Sequence, residues 1–179
     1  MGKKKINTGT MVQAGFLVAI SIVLTRFLVF MPTNTLRIGF GDLPLMLSGF
    51  LFGPVVGGIT GIAADLIGLV INPLGPPHPG FTISSMLWGV ISGLFMMIFK
   101  RNKDKNPYSK FNVVIVVTMC TIIISLGLNT YWLSRLYGKG FLVMFPSRLI
   151  SAIVNIPIQS IIIFNLLKYL KNIAGVQNG

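Results

Sequence analysis

The stretch "GPVVGGITGIAADLIGLVIN", residues 53–72, decides the fold, because it is apolar enough to cross a membrane and yet contains a carboxylate. A membrane-spanning helix needs about 20 mostly apolar residues. Gly53, Gly57, Gly61 and Asp65 recur every four residues, so they share one face of a helix. Glycines at this spacing let neighbouring backbones approach closely. We therefore predict a transmembrane helix whose Asp65 face packs against other helices rather than facing lipid.

The composition of the whole chain indicates an integral membrane protein. Its 179 residues are 53% hydrophobic and 10% charged, whereas a soluble domain has about 25% charged residues. The net charge of +12 would suggest nucleic acid as a partner of a soluble protein. Here the basic residues lie between apolar segments and at the termini, which membrane topology explains better. We predict one domain over residues 1–179, embedded in a lipid bilayer, with no nucleic-acid partner.

Six apolar segments predict an all-α bundle of six transmembrane helices. They lie at residues 10–31, 43–53, 55–72, 81–99, 112–134 and 146–170. The second is too short to span a bilayer alone, and Gly53-Pro54 separates it from the third, so we expect a short or broken second helix.

The distribution of basic residues predicts the orientation of the bundle. With six crossings, most lysines and arginines fall on the side of the two termini, and the opposite loops hold Arg37, Arg135 and Lys139. Cytoplasmic loops are enriched in Lys and Arg. We therefore expect both termini in the cytoplasm of a bacterial cell.

Polar side chains on several helices predict a cavity open to the outside. The candidates besides Asp65 are Arg26 in the first segment, Trp88 in the fourth, Asn129 in the fifth, and Arg148 and Asn155 in the sixth. At about 1.5 Å per residue, the charged residues and Trp88 lie in the outer half of the bundle. A proton relay or a channel would need polar groups through the full thickness.

Asp65 has two interpretations from the residues alone. It pairs with Arg26 or Arg148, which would offset the cost of placing charges in the membrane, or it contacts a ligand. A carboxylate can accept two parallel N–H bonds from an amidine-like edge, and a spare guanidinium group suits an anionic ligand.

Two outer loops are candidate lids. The loop "NPLGPPHPGF", residues 72–81, is stiffened by Pro73, Pro76 and Pro79, with Gly75 and Gly80 as hinges. The segment 32–44 contains Arg37 and Phe40 and is predicted to form a short extended flap. We expect His78 to be an exposed loop residue, and no zinc site, because no second histidine or cysteine accompanies it.

The run "LPLMLSGFLFGPVVGGITGIAADLIGLVINPLGPPHPGFT", residues 43–82, resembles the substrate-binding S-components of energy-coupling-factor (ECF) transporters, most nearly the folate-specific branch. The "TRFL" of residues 25–28 and the six basic-flanked helices agree. The resemblance implies a subunit that binds folate or a related pterin from outside, uses no cofactor and is not an enzyme. It also implies partners: a membrane coupling subunit and two ATPase subunits.

The resemblance places docking to the coupling subunit on small residues of the first helix, and Gly15 and Ala19 match that spacing. The helical register places both on the Arg26 face, so they either dock the partner or pack internally. Ala14 and Ser21 on the adjoining face are the alternative patch.

In this interpretation Asp65 holds the pterin edge, Trp88 or Phe81 contacts the flat ring, and Arg26, Arg148 or Arg37 pairs with the acidic tail. Asn129 and Asn155 supply further hydrogen bonds. The alternatives are an S-component for another vitamin such as thiamine, or a small intramembrane enzyme. A cationic vitamin suits this arginine-rich set poorly, and an enzyme would need clustered carboxylates or histidines.

Overall fold

The protein is a bundle of helices. The computed structural model describes residues 7–28, 39–73, 76–101 and 107–173, with side chains as far as Tyr169, and these ranges contain helices and connections but no strand. The helices are α1 (Thr8–Arg26), α2 (Asp42–Phe52), α3 (Pro54–Ile71), α4 (Pro79–Arg101), α5 (Lys110–Tyr137) and α6 (Phe141–Ile173). The predicted all-α membrane bundle is confirmed.

Helix α2 is short and buried on all sides. Among the described helices five are long and apolar enough to cross a membrane, whereas α2 has 11 residues and extends ~16 Å. All its residues from Leu43 to Phe50 are buried, as expected of a helix that is apolar all round. Gly53 ends it with φ 90°, and Pro54 begins α3 with a φ suited to a first helical turn.

Two predicted helix ends are wrong. Helix α1 ends at Arg26 rather than at residue 31. The Asn72 side chain donates a hydrogen bond of 3.2 Å to the Arg26 carbonyl oxygen and so caps the helix. Helix α6 begins at Phe141 rather than residue 146, and Pro146 lies inside it. Membrane helices tolerate such prolines, because neighbouring groups satisfy the freed carbonyls.

Glycines bring α2, α3 and α4 into backbone contact. A Cβ added at Gly57 would lie 2.7 Å from the Gly89 carbonyl oxygen, and one at Gly89 would meet the Gly57 backbone. Beside this contact the hydroxyls of Ser48 and Thr60 lie 2.9 Å apart and share a hydrogen bond. The predicted close packing of the glycine face is confirmed, and it fixes the relative position of Asp65 on α3 and Trp88 on α4.

We expect Gly89→Val to destabilise the protein by at least about 1–3 kcal/mol, because the added side chain forces the α3 and α4 backbones apart. The measurement is thermal unfolding in detergent. Gly9→Val in α1 is the matched control, since a Cβ there meets nothing within 4 Å. Equal melting temperatures for the two variants would contradict the backbone contact.

Candidate functional site

Six helices surround one polar cavity at the end of the bundle where α1 and α3 end and α4 begins. Its volume is about 190 Å³, and the connections at residues 39–41 and 76–78 complete its wall. The sequence-predicted residues that line it are Arg26, Asp65, Phe81, Trp88, Asn129, Arg148 and Asn155. Arg37 lies outside the described residues. The convergence of side chains from separate helices is therefore present, while their contact with a ligand stays a prediction.

Asp65 is held by two neighbouring helices. Its Oδ1 lies 3.3 Å from Nη2 of Arg26 on α1, and its Oδ2 accepts a hydrogen bond of 2.7 Å from the Thr82 hydroxyl on α4. The two charged side chains are 8% and 11% exposed. Of the two interpretations of Asp65, the ion pair with Arg26 is present. Both residues line the cavity, so a ligand contact with Asp65 is compatible with the ion pair.

Unpartnered polar atoms face the same region. The Oδ1 atoms of Asn129 and Asn155 and the hydroxyl of Ser84 are buried without a hydrogen-bond partner among the described residues, and all three residues line the cavity. Leaving a buried polar group unsatisfied costs about 1–3 kcal/mol. A polar ligand that donates to these oxygens would remove that cost.

The wall of the cavity includes the connection at residues 39–41, which two helices hold. Ser21 on α1 donates to the Gly41 carbonyl at 2.7 Å, and Gln159 on α6 donates to the Gly39 carbonyl at 3.3 Å. Phe40 between them packs against the hydrophobic core. The predicted flap residues before Gly39 lie outside the described residues.

The described part of the proline-rich loop, residues 76–78, forms another part of the cavity wall. Pro76 and His78 line it, Pro79 is the first residue of α4, and Pro73 is exposed. Gly80 is buried against the indole of Trp132 with no space for a Cβ, so it is a packing position rather than a free hinge. Gly75 lies outside the described residues. Whether this loop opens and closes stays a prediction.

Helix α5 contains a π-helical stretch that periodicity did not reveal. Buried residues follow α-helical spacing as far as Ile124, and continuing that phase would bury Gly127 and Tyr131, which are exposed. Thr130 and Leu133 are buried instead, because residues Thr121–Asn129 form a π-helix with i→i+5 bonding. The shift directs Asn129 and Leu133 to the cavity. A single α-helical period applied to the whole of α5 does not predict this shift.

The small residues of α1 lie on the outside of the bundle. Gly15 and Ala19 are exposed, and Ala14 and Gly15 form an apolar groove with Val56 and Ile59 of α3. The predicted alternative in which Gly15 and Ala19 pack inside the bundle is therefore wrong. Ser21 as part of a docking patch is also wrong, because it is buried and bonded to Gly41.

Comparison with known proteins gives the class to which this architecture belongs. The family model described as "ECF transporter, substrate-specific component" matches residues 9–167. The chain belongs to this family of transporter S-components, which are substrate-binding subunits and not enzymes.

Particular relatives come from the same family. The chain is 38% identical over 161 residues to the folate transporter FolT of Clostridium novyi (strain NT), covering 90% of this chain and 88% of the relative. It is 31% identical to the FolT of Leuconostoc mesenteroides, covering 87% and 82% of the two chains. A crystal structure of FolT bound with folic acid matches with a TM-score of 0.77 at 31% identity, covering 92% of this chain and 97% of that one.

Removing one partner of the Asp65–Arg26 pair should destabilise the protein more than removing both. We expect Asp65→Leu to cost about 3–5 kcal/mol, because it removes the carboxylate that pairs with the buried guanidinium of Arg26, and the double variant Arg26→Leu/Asp65→Leu to cost less. Thermal unfolding of the ligand-free protein measures these two variants and the single variant Arg26→Leu. A double variant as unstable as the sum of the two single variants would show that the charges do not interact.

Proposed function

We propose that this protein is the substrate-binding subunit of an ATP-driven ECF transporter that takes up folate. The observation that carries the proposal is the polar cavity, in which Asp65, Arg26, Arg148 and two asparagines from four helices converge. The similarity to folate transporters over nine tenths of the chain supports the choice of vitamin.

The cavity chemistry suits a flat head with an acidic tail. Each oxygen of a carboxylate has two lone pairs, so Asp65 can hold Arg26 and Thr82 and still accept N–H groups from the 2-amino-4-oxo edge of a pterin. Trp88, which is 3% exposed, offers an aromatic surface for the ring. Arg148 on α6 is a cation for the glutamyl carboxylates.

The energy for transport comes from other subunits. The sequence has no G-x-x-x-x-G-K-[ST] phosphate-binding loop. ATP is hydrolysed by two ATPase subunits, which act through a membrane coupling subunit. The exposed small-residue groove between α1 and α3 is the proposed docking surface for the coupling subunit, because small residues let two helices approach closely.

The charges at the bundle ends support the orientation. Lys100 and Arg101 end α4, Lys110 begins α5, and these three exposed residues lie at the end of the bundle opposite the cavity. Basic residues favour the cytoplasmic side. The cavity therefore opens outward, and both termini are cytoplasmic.

The purified protein should bind folate without ATP, and Asp65→Asn should weaken this binding more than tenfold. A tenfold loss is about 1.4 kcal/mol, which is modest for one hydrogen bond to a charged group. Isothermal titration calorimetry in detergent measures the dissociation constant. Asp104→Asn, the same chemical change between α4 and α5 in the sequence, is the matched control. Unchanged binding in Asp65→Asn would remove Asp65 from the site.

We expect Gly15→Leu to abolish folate uptake while leaving folate binding within twofold of the unaltered protein. The added side chain fills the groove, and a Cβ at Gly15 meets nothing within 4 Å, so the fold tolerates it. Uptake of radiolabelled folate by cells that contain the complete transporter is the measurement, with Gly9→Leu as the control. Normal uptake by Gly15→Leu would place docking elsewhere.

A further inference from the structure

His78 has a fixed ring orientation at the rim of the cavity. The backbone N–H of Gly80 donates to its Nδ1 at 3.0 Å. The ring centroids of Phe81 and Trp132 lie 5.9 Å and 5.3 Å from that of His78. The imidazole is therefore held through one nitrogen and through aromatic contacts with α4 and α5.

The bond to Gly80 determines what the other nitrogen can do. A neutral imidazole has one nitrogen that accepts and one that carries the proton, and Nδ1 is the acceptor here. Nε2 is then an N–H donor. Among the residues that the structure describes, no hydrogen-bond partner of Nε2 is present. His78 lines the cavity, so this donor is available to a molecule inside it.

The position of His78 along the cavity separates it from the polar groups deeper in the bundle. It directly precedes Pro79, the first residue of α4, and Trp88 lies nine residues further along that helix, ~14 Å deeper. Both residues line the same cavity. An elongated ligand whose flat head lies against Trp88 therefore places its opposite end near His78.

We propose that Nε2–H of His78 donates a hydrogen bond to the carboxylate tail of the ligand and so distinguishes ligands with an acidic tail from those without one. The inference rests on the proposed function and adds a specificity-determining residue to it. Hydrogen bonds to an ionised acceptor are about twice as strong as neutral ones, which gives the tail contact its selectivity.

A purely structural role for His78 is the competing explanation. Its ring packs between two aromatic side chains, and loss of this packing would weaken every ligand that the loop covers. Variants must therefore be compared on two ligands that differ only at the tail. Folate and its diamide, in which neutral amides replace both glutamyl carboxylates, form such a pair.

The experiment measures dissociation constants of both ligands for the full-length protein and three variants. His78→Phe keeps an aromatic ring without the donor. His78→Asn keeps an acceptor near Nδ1 for the Gly80 N–H and removes the outer donor. His78→Gln can place an amide N–H near the position of Nε2. Thermal unfolding of each variant shows whether the fold is retained.

We expect His78→Phe and His78→Asn to weaken folate binding about tenfold and binding of the diamide less than twofold, with His78→Gln retaining most of the affinity for folate. Equal weakening of both ligands, or no change for folate, would overturn the role of His78 alone. Failure of the unaltered protein to bind folate at all would instead overturn the proposed function, and this inference with it.

Discussion

The ion pair between Asp65 and Arg26 is the interaction on which the architecture of the site depends. An ionised side chain in the interior of a membrane protein is costly unless it is paired and hydrogen-bonded. Here the pair joins α1 to α3, and Thr82 adds α4 to the same carboxylate. Three helices are thus held together at a polar point, and the cavity forms beside it.

Close backbone packing makes this arrangement possible. Gly57 and Gly89 bring α3 and α4 into contact, and α2 is enclosed beside them. This tight contact lies at one end of the helices. The cavity lies at the other end, where longer side chains of α1, α5 and α6 line it. Within the described residues, the Oδ1 atoms of Asn129 and Asn155 have no hydrogen-bond partner, and this lowers the stability of the bundle.

The sequence alone was sufficient to predict most of the fold and seven of the residues that line the cavity. The face shared by Gly57, Gly61 and Asp65 follows from a four-residue spacing, and the polar stripes on the other helices predicted which sides meet. Charged residues are rare in a membrane helix, so each one carried information.

The features that were missed depend on tertiary context. The π-helix in α5 changes the phase of the helix without any glycine or proline signal strong enough to predict it. His78 looked like an exposed loop residue, because its contact with Trp132 joins positions far apart in the sequence. The end of α1 at Arg26 depends on a cap that Asn72 supplies from α3. No local pattern contains these contacts.

The most direct measurement is an experimental structure of this protein determined with folate present. The account predicts that the pterin ring lies against Trp88 with the carboxylate of Asp65 at its 2-amino-4-oxo edge, and that the tail extends toward the loop at residues 76–78. Folate bound outside this cavity, or a cavity that stays empty at saturating folate, would contradict it.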